Sequence, residues 1–166
     1  MTCNNVKATS ESKVPFNGNV FFCGYGAVAR CTLPLIVKHI NVPFDRITVI
    51  DFEDKTEELK PFMEKGLKYH TIRIDKENIT SVLSQFVHRG DLLIDLAWEI
   101  DTLTFLEWCY DNGVMYINAS VEEWEPYGKT DTYKQTLYYR HMRMREVISK
   151  WVDSETKQKK GKYNII

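Results

Sequence analysis

Residues 18–29 read GNVFFCGYGAVA, and the way these twelve residues are parsed decides the fold. Val20 to Cys23 is an apolar run too short for a helix and bounded by glycines, the pattern of a buried strand. Gly24-Tyr25-Gly26-Ala27-Val28-Ala29 follows at once, and from Ala27 to Ile40 the chain is apolar over a helix length. Strand, glycine turn and helix together make the opening of a βαβ unit.

Working outward, the same alternation continues. ITVIDF (47–52), KYHTIRI (68–74), DLLIDLAW (91–98) and VMYINA (114–119) read as further strands. Between them, helices are expected over Lys55–Lys65, ending at Gly66, over Lys76–His88 with Ile79, Val82, Leu83 and Phe86 inward, and over Asp101–Asn112. In this last helix Leu103, Leu106 and Trp108 or Tyr110 are expected to face the core, and Asn112-Gly113 to end it. A turn-rich stretch, VEEWEPYGKTD, precedes a final helix from about Thr132 to Val152. Strands separated by helices specify a Rossmann-like doubly wound α/β domain, with a mostly parallel sheet and helices on both faces. Its expected span is 18–152, after a loose polar leader (1–17) and before a basic polar tail (153–166). Pro34, inside the first helix, is expected to loosen its second turn.

The glycine loop has the spacing GxGxxA in the place where a dinucleotide fingerprint needs it. Gly24 allows the tight turn, Gly26 lets a pyrophosphate reach the backbone, and Ala29 is small enough for close helix–sheet packing. The N–H groups and dipole of the helix start favour the phosphates. Asp51 ends the second strand 27 residues after Gly24, placed to accept hydrogen bonds from the adenosine ribose. The neighbouring Glu53, Asp54, Glu57 and Glu58, with no arginine directly after Asp51, would repel a 2′-phosphate, so NAD is expected rather than NADP. Capping of the next helix is the alternative role for Asp51 or Asp54.

Composition narrows the class. With 166 residues, 43% hydrophobic and 27% charged, the chain has the make-up of one ordinary soluble domain. The net charge of −1 gives no reason to expect nucleic acid, and no apolar run is long enough to span a membrane. That neutrality is uneven: Arg140–Lys162 holds eight basic and three acidic residues, leaving −6 on the rest. The opening residues show no secretory signal, and Cys3, Cys23, Cys31 and Cys109 form no CxxC pair, so free thiols and a cytoplasmic setting are expected. Cys23 and Cys109 read as small buried hydrophobes. His39, His70, His88 and His141 are scattered, which leaves no metal motif; GxxxxGK[ST] and GxSxG are also absent.

Ligands of open parallel sheets bind beyond the carboxyl ends of the strands. The DLLIDLAW strand ends at Trp98-Glu99 with Asp101 close by, and the last strand leads into Glu122-Glu123-Trp124-Glu125. Carboxylates with indoles suit a cationic ligand; a solvated acidic surface beside a core tryptophan is the alternative.

FFCGYGAVARCTLPLIVKH (21–39), ITVIDF, DLLIDLAWEIDTLTFLEWCYDNGVMYINASVEEW (91–124) and TYKQTLYYRHMRMRE (132–146) resemble the opening of homospermidine synthases, within the saccharopine dehydrogenase-like group. The resemblance runs over roughly residues 18–148. It implies NAD as a retained cofactor, held by Gly24, Tyr25, Gly26, Ala27, Val28, Asp51, Ala97 and Trp98. It also implies a putrescine-like diamine substrate, with Glu99, Glu122 and Trp124 around it and Asp101 as substitute for Glu99. Putrescine would lose a hydride to NAD, a second amine would displace ammonia, and the hydride would return to give homospermidine. Ala97, Asn118-Ala119 and Glu123 depart from a serine, an Asp-Thr pair and a proline usual in the family.

Family enzymes run to several hundred residues, with a second domain supplying much of the amine pocket. The expectation is therefore a cofactor domain, inactive alone, with an exposed edge covered by a partner chain or a second copy. Two alternatives stand beside it: a stand-alone or split dinucleotide-binding regulatory protein, and an S-adenosylmethionine-dependent methyltransferase, which shares a glycine loop and a second-strand acid.

Overall fold

The computed structural model describes residues 12–125 and 131–158; Cys3, most of the leader, residues 126–130 and the end of the basic tail lie outside them. The chain starts with a two-residue strand, β1 (Val14–Pro15), within the stretch expected to be a loose leader. It pairs in parallel with β3 (Ile40–Asn41), Val14 opposite Ile40. Two ladder residues are too few to leave a periodic trace in sequence.

β2 (Val20–Cys23) leads through the glycine turn into α1 (Ala27–His39). α1 passes through Pro34, which is exposed while Leu33 beside it is fully buried. The proline removes one N–H from the ladder on the solvent side. β4 (Ile47–Asp51) is followed by α2 (Thr56–Met63), which Gly66 stops at φ +109°, and then by β5 (Lys68–Thr71). α3 (Ile79–Phe86) precedes β6 (Leu92–Asp95). β5 and α3 are shorter than sequence suggests: residues 72–75 are irregular and 76–78 form a turn before α3.

α4 (Thr102–Asn112) begins on Asp101, whose carboxylate accepts the Thr104 N–H at 2.9 Å. It ends at Gly113 in the left-handed conformation, as Asn-Gly predicts. Its buried positions are Thr102, Phe105, Leu106 and Cys109. Of the residues expected inward, Leu106 is buried, whereas Leu103 and Trp108 flank the core and Phe105 and Cys109 enter it. β7 (Met115–Asn118) and the long α5 (Leu137–Gln158) complete the elements of the described residues. α5 starts five residues later than expected, after a short turn of 3₁₀ helix, and runs on into the segment read as tail.

All five central strands are parallel, in the order β5-β4-β2-β6-β7. From β2 the chain first builds outward through β4 and β5, then returns to place β6 on the other side of β2. This reversal creates a switch point between β2 and β6, where the crevice at the strands' carboxyl ends opens. Strand residues alternate between two cores. Val20, Phe22, Ile47, Val49 and Ile94 join Ala29, Leu33 and Leu59 on the α1–α2 face. Phe21, Cys23, Ile50 and Leu93 join Leu83, Phe105 and Leu106 on the other, which Met144, Ile148 and Trp151 of α5 also cover. Strands buried on both faces explain the continuous apolar runs in sequence. Cys23 and Cys109 are buried and unpaired.

Candidate functional site

The site is built where β2 and β6 end. Gly24 has φ +91°, a left-handed backbone that side chains rarely adopt. A Cβ there would lie 2.8 Å from the Leu96 carbonyl oxygen. Gly24 therefore serves both the turn and the close approach of the loop leaving β6. Gly26 differs: its φ is −81° and a Cβ would meet nothing within 4 Å. The backbone at the start of α1 is open, and no side chain caps that helix. Ala29 is fully buried against the sheet, as helix–sheet packing requires.

Asp51 is 7% exposed. Its Oδ2 accepts the Tyr25 N–H at 2.6 Å and its Oδ1 the Glu53 N–H at 2.8 Å. The carboxylate thus fixes the glycine loop from the end of the neighbouring strand, and each oxygen retains a lone pair for a ribose hydroxyl. Neither Asp51 nor Asp54 is the N-cap of α2, which is Lys55 without a side-chain cap; Asp54, one residue earlier, accepts the Thr56 N–H on its Oδ1 at 2.9 Å.

A cleft of about 760 Å³ opens over this edge. One wall carries Asp51, Phe52, Glu53 and the segment 72–77; the other is formed by Leu96 to Ile100 with Trp124 and Glu125. Glu99 and Glu125, both on the cleft, have left-handed backbones with φ 59° and 52°. Such strain in non-glycine residues is commonest where a site demands it.

The expected residues separate by position. Gly24, Gly26, Asp51, Ala97, Trp98, Glu99 and Trp124 line the cleft. Ala27 and Val28 are exposed at the start of α1, and the Tyr25 side chain turns into the α1–α2 core. Glu122 is not brought to the cleft: its Oε1 accepts the Ser120 hydroxyl at 2.9 Å, and its N–H donates to the Thr102 hydroxyl at 2.9 Å. Asp101 is committed to capping α4.

Three features escaped the sequence reading. Asp95 is buried under the β6 exit, accepting the Tyr116 hydroxyl at 2.7 Å and the Ala97 N–H at 3.2 Å. Burial pushes its carboxyl up to about 7 against the pull of those two bonds, and Glu122 pushes the same way. A carboxylate inside the apolar run DLLIDLAW was the available signal. Glu123, 4% exposed, meets Arg140 at 3.4 Å and Arg143 at 3.3 Å, so α5 is tied to the β7 exit. Arg73 lies over the Phe52 ring, 5.3 Å from its centre, and nothing in the spacing of the two residues announced that contact. Among the described residues no group of His, Cys, Asp and Glu could hold a metal ion, and no helix is long and apolar enough to cross a membrane.

A parallel sheet with its switch point under a glycine loop, an uncapped helix start open at Gly26 and a carboxylate closing the second strand define a Rossmann-like dinucleotide-binding domain. The family described as the saccharopine dehydrogenase NADP binding domain matches residues 20–157, and the chain belongs to it. Among curated proteins, the chain is 28% identical over 127 residues to the homospermidine synthase of Mesorhizobium japonicum, covering 73% of this chain and 26% of that protein. It is 26% identical over 111 residues to that of Blastochloris viridis, covering 65% and 23%. The chain thus spans about a quarter of the length of these relatives. A solved structure of homospermidine synthase from Legionella pneumophila, in complex with NAD, matches 74% of this chain and 26% of its own, with a TM-score of 0.65 and 25% identity. The resemblance drawn from residues 21–39 and 91–124 holds, and the nicotinamide dinucleotide expected for the glycine loop agrees with both the family and that structure's ligand.

Proposed function

We propose that this chain is the NAD-binding unit of a homospermidine synthase-type system acting on diamines. The observation that carries the reading is the pairing of Gly26, open where a pyrophosphate would approach, with Asp51, which locks the same loop and keeps lone pairs for a ribose. Backbone N–H groups at Ala27 and Val28 would hold the phosphates, and Leu96 to Trp98 would form the far wall. Bound NAD would supply hydride storage, accepting a hydride from the diamine carbon and returning it to the later imine.

This chain's own residues would orient and bind. Glu99 and Trp124 share the cleft, where a carboxylate and an indole suit an ammonium group. Glu122 would act at one remove, through its charge on Asp95 beneath the β6 loop. Amine turnover is proposed to need groups beyond this chain, in keeping with its matching about a quarter of its relatives' length. The acids around Asp51 favour NAD over NADP.

The test is calorimetric titration of NAD and NADP into the chain and its Gly26→Trp and Asp51→Ala variants. The wild type should bind NAD more tightly than NADP. Gly26→Trp should fold normally and lose binding, because its side chain enters open space that the ligand needs. Asp51→Ala should weaken NAD at least tenfold, the loss of a charged hydrogen-bond partner being about 1.5–3 kcal/mol. A folded wild type that ignores NAD would refute the proposal.

A further inference from the structure

Arg73 stands on the cleft wall over the Phe52 ring. The backbone presenting it is fixed: Asn78 Nδ2 donates to the Arg73 carbonyl at 2.9 Å, and the Asp75 N–H donates to Asn78 Oδ1 at 3.0 Å. Asp75 Oδ1 in turn accepts the N–H groups of Glu77 and Asn78. The cleft's lysines, Lys55 and Lys76, are each paired with a carboxylate, Glu53 and Glu125. The Arg73 guanidinium has no carboxylate partner among the described residues; its contact is the Phe52 ring.

Phe52 directly follows Asp51, and the Ile72 N–H donates to the Asp51 carbonyl at 2.8 Å, so the Arg73–Phe52 pair stands beside the carboxylate assigned to the adenosine ribose. A guanidinium is a planar cation with two faces. Phe52 covers one.

We infer that Arg73 lays a face of its guanidinium on the adenine of the dinucleotide and is the base-recognition residue of this site. The inference rests on the NAD-binding reading above. Adenine is then held against Arg73, beside Phe52, and Asp51 holds the adjoining ribose. Arg73 acts on the base and leaves the 2′ position to the carboxylates.

Titration of the full chain with NAD, NADP and ADP-ribose, wild type against Arg73→Ala and Arg73→Lys, tests this. Arg73 is exposed, so both variants should keep the wild-type thermal midpoint. Arg73→Ala should weaken NAD and ADP-ribose by the same factor, about 3- to 30-fold, and leave the NAD/NADP preference unchanged. Arg73→Lys, which retains the charge without the plane, should leave most of that loss in place. Unchanged NAD affinity in Arg73→Ala, full rescue by lysine, or a loss confined to NADP would each overturn the inference while the NAD-binding reading stands. A wild type that binds no NAD would overturn both.

Discussion

At the residue scale, Gly24 and Gly26 look alike in the motif and differ in the fold. Gly24→Ala places a Cβ against the Leu96 carbonyl in a left-handed backbone, so it should destabilise the domain by about 2–4 kcal/mol. Urea unfolding measures this, with the well-tolerated Gly26→Trp as the contrast. Asp95 makes a pH prediction. Its pKa rises on folding from about 4 to about 7. Between those values the unfolded chain releases a proton that the folded chain keeps. Its contribution to stability is therefore full below about pH 4, falls as pH rises to about 7, and is flat above. Asp95→Asn keeps an acceptor for Tyr116 and has no charge to bury, so this slope should vanish in urea midpoints taken at pH 4.5, 6 and 8. A mutant retaining the wild-type slope would show that other groups set it.

At the scale of elements, α5 is held by two devices. Met144, Ile148 and Trp151 pack on the core, Trp151 stacking on Tyr110 with centroids 4.2 Å apart, and Glu123 receives Arg140 and Arg143. Fully buried pairs cost about 3–5 kcal/mol to break. Arg143 is nearly half exposed, which lowers the expectation for Glu123→Gln to about 1–3 kcal/mol. Amide exchange should quicken along α5 while β2 and β6 stay protected; uniform loss of protection would mean that α5 unfolds only with the whole. The strands were legible as elements because burial on both faces makes them continuously apolar. Their ends were less legible: in KYHTIRI the strand ends at Thr71, Ile72 makes one last backbone bond to Asp51, and Ile72 to Ile74 then line the cleft. In α4 Leu106 is buried as expected, while Phe105 and Cys109 rather than Leu103 and Trp108 fill the core beside it.

At the scale of the molecule, ligand and fold should be linked. NAD at about a hundred times its Kd should add about 2.7 kcal/mol to stability, read as a rise in the thermal midpoint. The same chain incubated with putrescine and NAD should yield no homospermidine by mass spectrometry; product formation would show that this cleft alone completes the amine chemistry.

The sequence alone determined the βαβ alternation, the glycine loop, its acid and the family resemblance, because these are properties of neighbours along the chain: periodicity, turn chemistry and short motif spacing. Only the tertiary structure decided that Gly24 abuts Leu96, that Arg73 lies over Phe52, that Glu122 is turned away from the cleft and that Glu123 binds α5. Those facts depend on strands brought side by side from distant parts of the chain. The basic excess over Arg140–Lys162, visible in sequence only as uneven charge, begins with two arginines that the fold places on one buried carboxylate.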